Sequence, residues 1–201
     1  VISTWMDMIT AHASIPFTVL SNAGDALLSR ALSTHRAYNR PTILLLNYDR
    51  IWARNDRKLI VNPTVVDWQP EYIVADEGHK IKNRSSNRAK ALHILGRMAK
   101  YSRVLTGTPD PTSWADYFSI YKFLDPSIFG TLTQFSAQYL VLDWWKSVVG
   151  YRNTEDLAKK VHSIASVVKR ADCWDVPPEE ERTVEVDLPA PAKKAYKDMA
   201  A

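Results

Sequence analysis

Asp76, Glu77, Gly78 and His79 follow directly on a short apolar run, Tyr72-Ile73-Val74-Ala75. A run of this kind, cut off by polar and turn residues, predicts a buried strand of a parallel sheet. The two acids then stand at its C-terminal end, the edge at which open α/β sheets take their ligands. An Asp placed there suits Mg²⁺, directly or through water, because that ion takes oxygen ligands and keeps several waters. The neighbouring Glu can orient and polarise a water for attack on a phosphate. The same residues equally suit a strand that ends in a solvated polar turn, and this stretch by itself leaves both readings open.

A second polar turn, Gly107-Thr108-Pro109, closes the run Ser102 to Thr106 and is expected at the same sheet edge. A phosphoryl-transfer site needs a carboxylate for the metal, a group that positions water and an element that senses the phosphate. Together the two turns could supply the first two and a coupling element.

The surrounding chain must hold these turns. Ser3 is placed to cap a helix through Trp5, Met6, Met8 and Ile9, which Pro16 ends. Strands are predicted at Phe17–Leu20 and Thr42–Asn47, with a helix from about Asp25 to Arg36 between them. Arg54 to Lys58 reads as loop, and the segment between Asn62-Pro63 and Gln69-Pro70 as a connector. After the acidic turn, Leu92, Leu95 and Met98 recur on one helical face amid Lys80, Lys82, Arg84, Arg88, Lys90, Arg97, Lys100 and Arg103. That run of cations suits a solvated face first and a phosphate-tracking surface second. Trp114, Tyr117, Phe118, Tyr121 and Leu124 share one helical stripe, read as core rather than as a base-stacking platform. Further helices are predicted at Thr131–Tyr139 and Glu155–Ile164, with Trp144-Trp145 in an irregular insertion between them. Strands at Ser166–Lys169 and Arg182–Leu188 precede a last helix at Pro191. Strands alternating with helices argue for an α/β fold, a mostly parallel sheet with helices on both faces.

Composition sets outer bounds. The 201 residues are 46% hydrophobic with a net charge of +4, ordinary for a globular chain and compatible with nucleic acid without demanding it. A single cysteine, Cys173, excludes an internal disulfide and a cysteine zinc cluster, and a reducing, cytoplasmic setting is expected. No apolar run approaches the roughly 20 residues of a membrane-spanning helix. Val1-Ile2-Ser3-Thr4 is no signal peptide, and the chain reads as part of a longer frame.

Asp76-Glu77-Gly78-His79-Lys80-Ile81-Lys82-Asn83, followed by Leu105-Thr106-Gly107-Thr108-Pro109, resembles motifs II and III of the Swi/Snf-type DNA-dependent ATPases of helicase superfamily II. Ile2-Ser3-Thr4-Trp5 resembles the end of motif Ia, and Leu46-Asn47-Tyr48-Asp49 the segment before motif II. Phe123-Leu124-Asp125-Pro126, Lys169-Arg170 and Val186-Asp187-Leu188-Pro189 are similar to later parts of the first lobe. The short spacing and Gly150-Tyr151-Arg152-Asn153 look most like bacterial or phage members, which would place a phage-encoded protein in the host cytoplasm. The resemblance implies a partial RecA-like P-loop NTPase lobe over residues 1–188, with 189–201 opening a linker or second lobe. It implies ATP and Mg²⁺ as cofactors, double-stranded DNA and a second RecA-like lobe of the same protein as partners, and no membrane. Asp76 would hold Mg²⁺ through water, Glu77 would activate the hydrolytic water, and His79 would relay nucleotide state. Thr106, Gly107 and Thr108 would couple hydrolysis to DNA, and Thr4, Trp5 and Tyr48 would lie on the DNA side.

Two departures temper this. Asp110-Pro111-Thr112 stand where the family usually shows an apolar residue and Gln-Asn, and no Gly-x-x-x-x-Gly-Lys-Ser/Thr loop occurs anywhere. That loop supplies the backbone cradle and lysine for the phosphates. The chain alone is therefore expected not to hydrolyse ATP. The alternative is a non-catalytic, degenerate ATPase lobe that docks DNA or protein. A metal-dependent hydrolase is disfavoured because His12, His35, His93 and His162 show no paired spacing. No nucleophile elbow surrounds any serine, and Cys173 has no histidine near it in sequence.

Overall fold

The computed structural model describes residues 2–13, 18–21, 28–30, 32–33, 41–55, 58–107, 113–168, 189, 191–193 and 198. They fall in two compact units, 1–165 and 166–201. In the second, Pro191–Lys193 are helical, as Pro191 implies, with Lys193 N–H donating to the Pro189 carbonyl at 3.0 Å. The strand expected at 182–188 lies outside the described residues. Ser166–Val168 has no regular structure, contrary to the strand expected from its branched residues. Val167 and Val168 are exposed there, so no partner face rewards an extended pairing.

The first unit is α/β. Strands β1 (Thr18–Ser21) and β2 (Thr42–Leu45) pair in parallel, as do β5 (Tyr72–Ala75) and β6 (Tyr101–Val104). Each pair is a two-stranded sheet among the described residues. Two antiparallel hairpins stand beside them: β3 (Trp52–Asn55) with β4 (Lys58–Val61), and β7 (Leu140–Leu142) with β8 (Val148–Tyr151). Both correct the sequence reading, which had a loop at Arg54–Lys58 and an irregular insertion around Trp144. In each, polar or aromatic residues at the turn mask short strands that cross-strand pairing stabilises. The Trp144 turn is held by Asp143, whose Oδ1 accepts from Ser147 N–H at 2.7 Å, and Lys146 sits at φ 62°.

The helices follow their apolar spacing and their caps. Helix α1 spans Ile2–His12, one residue ahead of the expected cap, so Ser3 lies inside it. Asn62 caps α2 (Pro63–Trp68), with Oδ1 accepting from Thr64 N–H at 3.0 Å and Pro63 in the first turn, where the sequence reading had only a connector. Ser86 caps α3 (Asn87–Met98) and Ser113 caps α4 (Trp114–Leu124). Thr131 and Gln134 form a capping box on α5 (Leu132–Tyr139). In α6 (Thr154–His162), Glu155 and Asp156 open the first turn and Lys159, Lys160 and His162 close the last, which suits the helix dipole.

Two cores result. The first joins Ala75, Ile81, Leu92, Leu95 and Phe123 beneath β5 and the acidic turn. The second is aromatic: Phe118, Tyr121, Phe129, Phe135 and Tyr139, with ring centroids 5.1–5.2 Å apart between Phe129 and Phe135 and between Phe135 and Tyr139. The aromatic stripe of α4 is thus core, as its spacing implies. Helix α4 serves both clusters, Phe123 in one and Phe118 in the other. It approaches α3 so closely that a Cβ on Gly96 would lie 2.7 Å from the Phe123 carbonyl oxygen.

A buried polar link locks the same helices to the acidic turn. Ser119 Oγ donates to the Ile81 carbonyl at 2.6 Å, and His93 Nε2 lies 2.8 Å from the Ser119 carbonyl. A carbonyl only accepts, so Nε2 carries the proton. Burial holds His93 below the ordinary imidazole value of 6.5, and the nearby Lys122 and Arg97 charges act the same way. A group protonated more readily unfolded than folded contributes stability that is lost as pH falls through its unfolded value. The urea midpoint should therefore drop between pH 7 and pH 5, and the drop should be shallower in His93→Gln; identical slopes would remove His93 from that role.

Candidate functional site

The acidic turn is built by continuing the β5–β6 ladder past the end of β5. Leu105 N–H donates to the Ala75 carbonyl at 2.9 Å, and Gly78 N–H donates to the Leu105 carbonyl at 2.8 Å. The segment carrying Asp76 and Glu77 is therefore tied to the one carrying Thr106 and Gly107, the juxtaposition the strand-end argument anticipates. The strand is buried on one face only: Ala75 is in the core while Tyr72 and Val74 are exposed.

Glu77 sits in the left-handed region, φ 53° and ψ 60°, which costs an L-residue roughly 1–2 kcal/mol. The bonds around it hold it there. Its N–H donates to Asp76 Oδ1 at 2.9 Å, and its carbonyl accepts from Lys80 N–H at 2.9 Å as the short 3-10 helix Gly78–Ile81 begins. Gly78 is buried, and a Cβ there would collide with Val104 Cγ1.

Around this turn the structure gathers residues from distant parts of the chain. Trp5 Nε1–H of α1 donates to Asp76 Oδ2 at 2.9 Å. Tyr48 O–H donates to the Asp76 carbonyl at 2.6 Å. Tyr48 is pushed up to about 12, first by burial and then by the Asp76 and Glu77 carboxylates, so its phenol stays a donor through the physiological range. Lys80 Nζ stands 5.8 Å from the centre of the Tyr48 ring. The next residue, Asp49, takes a two-pronged bond from Arg88 of α3, Nε to Oδ1 and Nη2 to Oδ2, each 2.8 Å. That bond holds the Asp49 carboxyl below its ordinary range. His79 Nδ1 lies 3.3 Å from Glu77 Oε2, with both side chains about half exposed. A cavity of about 730 Å³ opens here, lined by Trp5, Tyr48, Asp76, Glu77, Lys80 and Arg88 among others.

Sequence reasoning placed Asp76, Glu77 and His79 together, and they are together. Thr106 and Gly107 are exposed beside them, while Thr108 lies outside the described residues. Trp5 and Tyr48, expected on the DNA side, bond to Asp76; Thr4 is exposed on α1. The Asp49–Arg88 fork was not anticipated, and nothing in the local pattern signals a pair 39 residues apart. Several of the cations after the turn are already engaged: Lys82 with Asp116 at 3.9 Å, Lys100 with Glu71 at 3.5 Å, and Arg97 with the His93 carbonyl at 3.1 Å. This favours the solvated face over the phosphate track for those positions.

The donor set fits Mg²⁺. Asp76 offers oxygens that each accept one N–H and keep further lone pairs, with the Glu77 carboxylate next in the chain. Among the described residues no group of three or more His, Cys, Asp or Glu could cage a metal by itself. One or two carboxylates completed by water and substrate phosphates is how Mg²⁺ is commonly held.

An α/β unit with chemistry-bearing turns at the ends of paired parallel strands is the class that fold and site define. Within it, the chain belongs to the SNF2-related domain family, whose model matches residues 1–201. It is 29% identical to the CHD3-type chromatin-remodeling factor PICKLE of Arabidopsis thaliana, over 77% of this chain and 10% of that protein. It is 31% identical to Protein CHROMATIN REMODELING 4 of the same plant, over 78% of this chain and 6% of that protein. It is 28% identical to the DNA repair and recombination protein RDH54 of Saccharomyces cerevisiae (strain JAY291), over 64% and 13% respectively. Among solved structures, the Sulfolobus solfataricus SWI2/SNF2 ATPase core in complex with dsDNA is 26% identical, covering 69% of this chain and 26% of that one, with a TM-score of 0.47. The chain thus spans a small part of the length of the relatives it matches.

Replacing Gly78 by Ala should destabilise the unit by about 1–3 kcal/mol through overpacking against Val104. Gly107→Ala, with nothing within 4 Å of its Cβ, meets no such clash and should cost markedly less. Urea unfolding of the two variants side by side checks this; equal losses would refute the close approach at Gly78.

Proposed function

We propose that this chain is part of an ATP-dependent motor that moves on double-stranded DNA. Membership of the SNF2-related domain family over residues 1–201 carries the reading. The tie between the Asp76–Glu77 turn and the Thr106–Gly107 segment supports the assignment of roles. The relatives are named for chromatin remodelling and for DNA repair and recombination, which supports DNA as the track.

In this reading Asp76 holds the metal of Mg-ATP through water, and the ion supplies positive charge to the phosphate oxygens. Glu77, lifted off the strand axis by its left-handed backbone, orients a water and takes its proton on a carboxylate oxygen. His79, 3.3 Å from that carboxylate, relays nucleotide state from Glu77 to its neighbours. The Gly78–Leu105 bond gives Thr106 and Gly107 a mechanical link to the same turn, and in this reading these two residues, with Thr108, couple hydrolysis to DNA engagement. A second RecA-like lobe of the same protein, and a phosphate-holding loop absent from these 201 residues, complete the site. A non-catalytic lobe that docks DNA or protein is the other reading, favoured only if the full protein also lacks a Gly-x-x-x-x-Gly-Lys-Ser/Thr sequence.

DNA-stimulated ATP hydrolysis by the full reading frame separates the two. Glu77→Gln should lower turnover by about 100-fold or more while nucleotide binding is retained, the scale of a lost general base. Unchanged turnover would remove Glu77 from its role, and no hydrolysis by the unmutated full frame would leave the docking module. The 201-residue chain by itself should show no DNA-stimulated hydrolysis; measurable turnover from it would overturn the need for a loop supplied from elsewhere.

A further inference from the structure

Asp76 is held from three directions by groups the reaction itself does not require. Trp5 reaches it across 71 positions of sequence and Tyr48 across 28. The two bonds act on different parts of the residue. Trp5 fixes one carboxylate oxygen, Oδ2, at 2.9 Å, and Tyr48 fixes the main-chain carbonyl at 2.6 Å. The Glu77 N–H takes the remaining oxygen, Oδ1. With both oxygens and the carbonyl bonded, neither rotation about the side-chain bonds nor a peptide flip is free.

The anchors are themselves anchored. The two-pronged Arg88–Asp49 bond ties the Tyr48 turn to α3, which packs in the core beneath β5 through Leu92 and Leu95. Tyr48 and Trp5 are both half-buried, and both line the cavity that opens on Asp76 and Glu77. A carboxylate that meets a metal only through water depends on its orientation more than one bound directly. Its hydrogen bonds to the ion's waters are directional, and the ion itself does not pull it into place.

We propose that Trp5 and Tyr48 are positioning residues for the metal carboxylate, holding Asp76 so that its free lone pairs face the water shell of nucleotide-bound Mg²⁺. The proposal rests on the reading of Asp76 as the Mg²⁺ carboxylate. It gives the two aromatics a task at the nucleotide site rather than at the DNA surface. Trp5 acts through its indole N–H and Tyr48 through its phenol O–H, so losing those donors should matter where losing ring volume does not.

Binding of a fluorescent ATP analogue to the full reading frame tests this, measured in excess Mg²⁺ and again in EDTA. In the unmutated protein Mg²⁺ should tighten binding. Tyr48→Phe, which removes one oxygen and keeps the ring, should cut that Mg²⁺-dependent gain by about 10-fold, the scale of a lost outer-shell partner, and leave affinity in EDTA unchanged. Trp5→Phe should do the same, and Asp76→Asn should abolish the gain. If Asp76→Asn keeps the gain and Glu77→Gln keeps full turnover, the functional reading itself fails. If those two behave as expected but Tyr48→Phe and Trp5→Phe bind like the unmutated protein, the positioning proposal falls and the functional reading stands. Equal losses with and without Mg²⁺ also overturn it, because they mark general damage to the lobe.

Discussion

One backbone hydrogen bond, from Gly78 N–H to the Leu105 carbonyl, fixes the relation on which the rest of the site depends. A parallel ladder normally ends where its strands end. Here it runs three residues beyond Ala75, through a bend and a left-handed residue, and closes on the neighbouring strand's exit. Two features of the sequence make that possible. Gly78 presents no Cβ to Val104, and Asp76 offers its own side chain to the Glu77 N–H, which would otherwise lose its partner as the chain leaves the strand. The strain at Glu77 is thus over-determined by its neighbours, the condition under which such backbone persists.

The core beneath the turn serves the same end. Ile81, the last residue of the short 3-10 helix, is fully buried, and its carbonyl takes the Ser119 hydroxyl. Ser119 in turn is bonded through its carbonyl to His93 on α3. A buried polar chain of this kind is costly when broken and rigid when complete. It clamps the trailing end of the acidic turn to two helices, while Trp5 and Tyr48 clamp its leading end. The turn lies between two fixed points, and along it Glu77, His79 and Lys80 remain exposed.

Much of this was legible in the sequence because it is local. The strand-then-acids pattern of Tyr72 to His79 and the periodic stripes of α3 and α4 each report on a few consecutive residues. Apart from α2, whose Asn62-Pro63 cap is local, the elements that sequence reasoning missed are those held by pairing with another segment. The β3–β4 hairpin carries Arg54, Asn55 and Lys58 at its tip, residues with little strand preference, and exists through pairing Trp52 with Val61 and Ala53 with Ile60. The hairpin at Trp144 is a similar case: the aromatics at its tip mark no core position, being almost fully exposed. The donors to Asp76 belong to the same class, since no periodicity links Trp5 or Tyr48 to a residue so far along the chain.

That contrast bears on how such a site is specified. The carboxylates can be recognised from a motif because their order along the chain is the strand-to-turn transition itself. The orientation of Asp76 cannot, because it is held by an indole from α1 and by a phenol whose own turn is fastened to α3. Either aromatic could be exchanged for another apolar residue without disturbing a helical stripe or a strand alternation, so local pattern places no constraint on it. Hydrogen-bond accounting does. Asp76 is half-buried and lines this cavity, and its Oδ2 accepts from Trp5 alone among the side-chain bonds shown to reach it. Remove that donor and the oxygen must turn toward solvent or toward the Glu77 N–H it does not now share. On the proposed reading, the geometry offered to the water shell of a bound cation then changes, although every residue of the recognisable motif is still in place.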